Sequence, residues 1–122
     1  MKLKGLVWLG IPAGDYAAAV RFFGQTLGLE VAFDEGSTVE LAAGNGDRIH
    51  LFGPGHRYFQ FCRSHGASII PLLKVDDLDQ ARAELTRGGA EQRGGPESDG
   101  TWTWLTFRAP DGNIHSLEAR RA

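Results

Sequence analysis

The feature that most restricts how this chain can fold is a plan that occurs twice. The first occurrence opens with the apolar run GLVWLGI, breaks at PAGD and continues as YAAAVRFFGQTLGLEV. The second opens with SIIPLLKV, breaks at DD and continues as LDQARAELTRGGAEQ. Each predicts an apolar strand, an aspartate at a helix start, an amphipathic helix and a glycine stop. Tyr16, Val20, Phe23 and Leu27 share one helical face, and Leu78, Ala81 and Leu85 form the matching stripe. Asp15 and Asp77 are the expected N-caps, because a carboxylate there accepts first-turn N–H groups that have no partner inside the helix. Gly28 and the pair Gly88-Gly89 are the expected stops.

Strand-like segments follow each helix. In the first half they are LEVAF, STVELAA and DRIHLF; in the second they are residues 90–92, TWTWLTF and NIHSLEA. Residues 94–100, GGPESDG, read as a polar loop that could serve as a lid, with a plain solvent loop as the simpler reading. The aromatic stretch GPGHRYFQFCRSHGA reads as an extended, partly packed connector. The expected architecture is therefore α+β, with βαβββ used twice in a single domain over residues 1–122. Module one covers about residues 4–53, the connector 54–66 and module two about 67–121.

Composition narrows the function classes. The 122 residues are 42% hydrophobic and 23% charged with a formal charge of −2, which lacks the basic stripe expected of a nucleic-acid binder. The apolar N-terminal run is broken by Gly10 and Pro12, so it reads as a strand and not as a leader or a membrane span. The single cysteine, Cys62, cannot pair within the chain and reads as a structural thiol in a reducing cytoplasm.

The stretches DYAAAVRFFGQTLGLEV, KVDDLDQARAEL and APDGNIHSLEA, in that order, together with DRIHLFGP, span nearly the whole chain. In these stretches the chain resembles the vicinal oxygen chelate superfamily, which includes glyoxalase I, extradiol dioxygenases, and fosfomycin- and bleomycin-resistance proteins. The resemblance implies two modules forming a curved eight-stranded mixed sheet around a small-molecule cleft, with helices outside and frequently a homodimer. It also implies one metal ligand on each of four strands, at Leu6, His50, Ile70 and Ser116. Leu6 and Ile70 offer no donor atom, and a neutral serine is a poor ligand, so His50 stands alone. Side chains alternate along a strand, so Ser116 and Glu118 share a face that His115 does not, and Glu118 lies about 6–7 Å beyond Ser116. No metal or other cofactor is expected, with a divalent metal left open.

The same alternation predicts a cleft lining of Trp8, Arg48, His50, Phe52, Leu72, Lys74, Trp102, Trp104, Thr106 and Ser116, with Leu105 and Phe107 turned to the core. Aromatic walls with a few polar points suit a small planar ligand. The competing reading of these aromatics is a protein interface. His56 and His65 are expected at the surface.

Three functions follow. The first is a metal-independent binder of a small aromatic or hydrophobic molecule, of the bleomycin-resistance type. The second is a glyoxalase-like lyase, isomerase or dioxygenase using His50 as general base, with or without a divalent metal. The third is a non-catalytic interaction module. Neither a nucleic acid nor a membrane is an expected partner.

Overall fold

The computed structural model describes residues 1–121. The fold is α+β, with eight strands of mixed parallel and antiparallel pairing and three α-helices. It divides into two compact units: Trp8–Ile70, and Met1–Val7 with the chain from Pro71 onward.

The first unit holds most of β1 (Gly5–Pro12), then α1 (Tyr16–Arg21), β2 (Glu30–Asp34), β3 (Thr38–Ala42), β4 (Arg48–Phe52) and α2 (Arg57–Ser64). Its strand order is β2-β3-β4-β1, with β1 parallel to β4 and the other pairs antiparallel. Asp15 caps α1 as the sequence predicts, its carboxylate accepting from the Ala18 N–H at 3.1 Å. Tyr16, Val20 and Phe23 pack on Val39, Leu41 and Leu51, which are at most 1% exposed. Burial of a leucine of this kind contributes about 1.5–3 kcal/mol.

Leu27 departs from the predicted stripe and is 53% exposed. The reason is a π turn over Phe22–Thr26, in which the Leu27 N–H donates to the Phe22 carbonyl five residues back. The wider turn rotates Leu27 off the face that the 3.6-residue period assigns to it.

The segment expected to be an extended connector is instead α2. Phe59 and Cys62, three residues apart, supply its buried face, and His56 caps it, Nδ1 accepting from the Tyr58 N–H. Cys62 is fully buried, and burial pushes its thiol up to about 11, which leaves it an inert structural group.

The second unit holds β5 (Ile70–Lys74, from Pro71), α3 (Leu78–Arg87), β6 (Glu91–Ser98), β7 (Trp102–Arg108) and β8 (Ile114–Arg120). Its order is β5-β8-β7-β6, with β5 parallel to β8 and the other pairs antiparallel. Asp77 caps α3 through the Gln80 N–H. Leu78 and Ala81 pack on Leu105, Phe107, Leu117 and Ala119, with Leu85 at the margin.

Residues 94–98, expected in a polar loop or lid, belong to β6, paired with β7. The register shifts twice, at Gln92/Gly94 and Gly94/Glu97, as a bulged edge strand does. Such an edge tolerates proline, which lacks a ladder donor. Gly95 has φ +73°, and a Cβ there would lie 2.9 Å from the Trp104 carbonyl oxygen, so the composition that resembles a loop is what this bulge requires.

Candidate ligand-binding site

Each unit carries one cross-strand row at the same place in its topology. In the first, Gly10 of β1 pairs with His50 of β4, which pairs with Glu40 of β3. In the second, Leu72 of β5 pairs with Ser116 of β8, which pairs with Thr106 of β7. Cross-strand partners lie on the same face of a sheet, so each row is one set of neighbouring side chains.

The first row carries two ionisable side chains, His50 and Glu40. His50 Nδ1 lies 3.5 Å from Glu40 Oε1, and both side chains are largely buried, at 12% and 15% exposure. That distance is long for a hydrogen bond and makes an ion pair only when the ring is protonated, and the buried Nδ1 has no hydrogen-bond partner. Arg48 donates to the other carboxylate oxygen, Oε2. The Glu40 carboxyl is held below its ordinary range, first by the His50 ring N–H and then by Arg48, against the opposing effect of burial. His50 Nε2 meets no hydrogen-bonding group among the described residues.

Aromatic rings lie against His50. Trp8 lies 5.1 Å from the His50 ring and Phe52 stacks on it at 4.9 Å, centroid to centroid, and the two flanking rings touch each other edge to face at 5.8 Å. Phe52 in turn stacks on His56 at 5.3 Å and touches Tyr58 at 5.6 Å. His56, expected at the surface, is thus part of the aromatic wall, because capping α2 turns its ring inward. Burial lowers its pKa, with the His50 and Arg57 charges adding to the effect and Glu35 opposing it. Gly10 makes the arrangement possible: a Cβ there would meet Trp8 Cζ3 at 2.5 Å and Phe52 Cε2 at 2.8 Å.

The second row is closed on itself. Thr106 Oγ1 and Ser116 Oγ are hydrogen-bonded at 3.0 Å, both residues are buried, and Leu72 beside them is 3% exposed. In the adjoining row Lys74 pairs with Glu118 and Glu118 with Trp104. Trp104 Nε1 donates to Glu97, while Lys74 and Arg120 both sit over the Trp102 ring, at 5.1 and 5.7 Å. The tryptophans of β7 are therefore engaged by protein groups, Trp102 by cations and Trp104 by a carboxylate. His115 lies on the core side against Phe107, as strand alternation predicts.

A metal does not fit the residues present. Leu6, 56% exposed, and Ile70 have no donor atoms, Ser116 is bonded to Thr106, and His50 has one carboxylate neighbour already bridged to Arg48. Among the described residues no three His, Cys, Asp or Glu side chains are grouped to hold an ion.

Glu40 is the residue that the sequence reading passed over. The signal was present: β3 and β4 flank a turn centred on Asn45, and reflection about that residue sets Glu40 opposite His50. A lone carboxylate in the apolar run STVELAA needs such a partner.

Comparison with known proteins agrees with this architecture. Residues 8–117 match the family described as glyoxalase-like domain. No curated protein matches the chain significantly by sequence. Among solved structures, a hypothetical protein from Bacillus halodurans C-125 superposes with TM-score 0.74 at 18% identity, covering 100% of this chain and 97% of that one. A glyoxalase/bleomycin resistance protein/dioxygenase superfamily member from Vibrio splendidus 12B01 gives 0.68 at 16%, covering 97% and 99%. Methylmalonyl-CoA epimerase from Mycobacterium tuberculosis gives 0.74 at 20%, covering 98% and 90%. At these identities the likeness is one of fold.

Proposed function

The chain belongs to the glyoxalase-like domain family, within the vicinal oxygen chelate superfamily, and from that premise we propose that it is a metal-independent binder of a small aromatic or hydrophobic molecule. The supporting observation is the first row. The His50, Trp8 and Phe52 rings form one mutually touching cluster, and His50 Nε2 has no hydrogen-bonding partner among the described residues, so one polar point borders an aromatic wall. Planar ligands gain from such walls through burial and ring–ring contact, while the single polar group fixes orientation. Tight binding does not require a metal here, and the residues at the family's ligand positions supply no donor set for one.

Metal analysis of the purified protein, combined with tryptophan-fluorescence titration against small aromatic compounds and dicarbonyl–thiol adducts, tests this reading. Saturable quenching without stoichiometric metal is the expected result. A stoichiometric zinc, nickel, manganese or iron content that binding depends on would overturn it.

A second reading, a lyase or isomerase, draws on the carboxylate behind His50. An imidazole held by a carboxylate is a general-base arrangement, and Nε2 would take the substrate proton. Loss of a detected turnover in His50→Ala supports this reading, and unchanged turnover removes it.

A further inference from the structure

The tautomer of His50 follows from its surroundings. Nδ1 is buried without a hydrogen bond, and it faces Glu40 Oε1 at 3.5 Å, just beyond a normal hydrogen-bond length. An ionised carboxylate only accepts hydrogen bonds, so in a neutral ring facing it the proton belongs on Nδ1 and the lone pair on Nε2. Glu40 is kept ionised by its two partners, which supports that assignment. Arg48 bonds the same carboxylate through Oε2 and neutralises it. With the ring neutral, the cluster offers a ligand no free cation, because Arg48 is engaged by Glu40. It offers a bare nitrogen acceptor beside two aromatic rings that touch each other.

We propose that Glu40 is a positioning residue that fixes His50 with Nδ1 protonated and Nε2 as acceptor, and that the site consequently selects planar, neutral molecules carrying an acidic O–H, such as phenols and enols. The proposal rests on the ligand-binding reading above and names the chemical class of its ligand. On binding, the ligand hydroxyl donates to Nε2. This polarises the ring and shortens the Nδ1–H to Glu40 contact, since hydrogen bonds in a chain strengthen one another. Ethers of the same shape lack the donor and would cover Nε2 without pairing it, which is the larger part of the discrimination. Carboxylates meet a second anion, Glu40, with its cation already engaged.

Two measurements test the proposal. The first is ¹⁵N NMR of the histidine rings at neutral pH, with the His50 signals identified by their loss in His50→Gln. The expected result is an Nδ1–H tautomer in the unsubstituted protein, giving way to a mixture in Glu40→Gln, whose amide can donate or accept. An Nε2–H tautomer in the unsubstituted protein overturns the proposal without any ligand. The second is NMR titration with 4-ethylphenol and its methyl ether, 4-ethylanisole. The phenol should bind about tenfold tighter, equivalent to about 1.4 kcal/mol, and Glu40→Gln should shrink that preference to about twofold or less. If both probes bind equally, the ligand-binding reading stands and this proposal falls. If neither binds, both fall.

Discussion

The two rows that occupy the same topological place, Gly10–His50–Glu40 and Leu72–Ser116–Thr106, show how one scaffold can leave a polar group over in one module and pair the polar groups in the other. In module two a serine and a threonine satisfy each other and a leucine fills the space alongside. Module one pairs an imidazole with a carboxylate, which leaves one ring nitrogen over. A glycine there replaces the leucine and lets Trp8 and Phe52 lie across the row. Backbone register is shared; what differs is whether the polar groups exhaust one another. In the hydroxyl pair each group has a partner inside the row, whereas a histidine with one acidic partner keeps a ring nitrogen without one.

The comparison is sharpest against a background that both modules hold in common, their aliphatic cores. Leu41 and Leu117 are each at most 1% exposed and each lies under its own module's helix. Leu41→Ala and Leu117→Ala should each cost about 2–5 kcal/mol in denaturant unfolding, the largest effects expected. A several-fold disparity between them would show that the modules differ in their cores as well as in their rows.

Gly10→Ala comes next. The new methyl group must displace the Trp8 and Phe52 rings, an overpacking that costs about 1–3 kcal/mol. Tryptophan emission should shift, and aromatic ligand binding should weaken with it. Unchanged emission and affinity would mean that Gly10 is not what admits the aromatic wall.

In the closed row, Thr106→Val or Ser116→Ala alone strands one buried hydroxyl and should cost about 1 kcal/mol. The double substitution should cost less than the sum of the two, because nothing polar is then left unpaired. Ligand affinity should stay unchanged in all three variants. A fall in affinity would return Ser116 and Thr106 to the site.

Much of this was legible in the sequence. Repetition of apolar strand, capped helix and glycine stop gave the two modules, and strand alternation correctly separated Leu105 and Phe107 from Thr106, and His115 from Ser116. What escaped detection has physical causes. The α2 stretch is rich in aromatics, and its two buried anchors, Phe59 and Cys62, are too few to announce a helical period. The glycines and proline that suggested a loop at residues 94–98 are also the residues a doubly bulged edge strand needs. Leu27 left its stripe because a π turn changes the period mid-helix. Glu40 was missed because cross-strand pairing depends on where the hairpin turns, and counting along one strand does not reveal it.

The smallest effect is a difference in acid sensitivity. Because His50 and Arg48 hold the Glu40 carboxyl below its ordinary range, the folded chain binds fewer protons there than the unfolded chain. Its contribution to stability is complete above the ordinary glutamate range, near about 4.3, and is lost as the pH falls through the lowered folded-state value. The module-two row has no ionisable member and contributes no such slope. Urea unfolding between about pH 3 and pH 6 should therefore show a shallower acid decline in Glu40→Gln than in the unsubstituted protein, while the Thr106→Val, Ser116→Ala double variant keeps the original slope. Equal slopes in all three would mean that the Glu40–His50 contact is not maintained in solution. The asymmetry between the rows would then lie in shape alone.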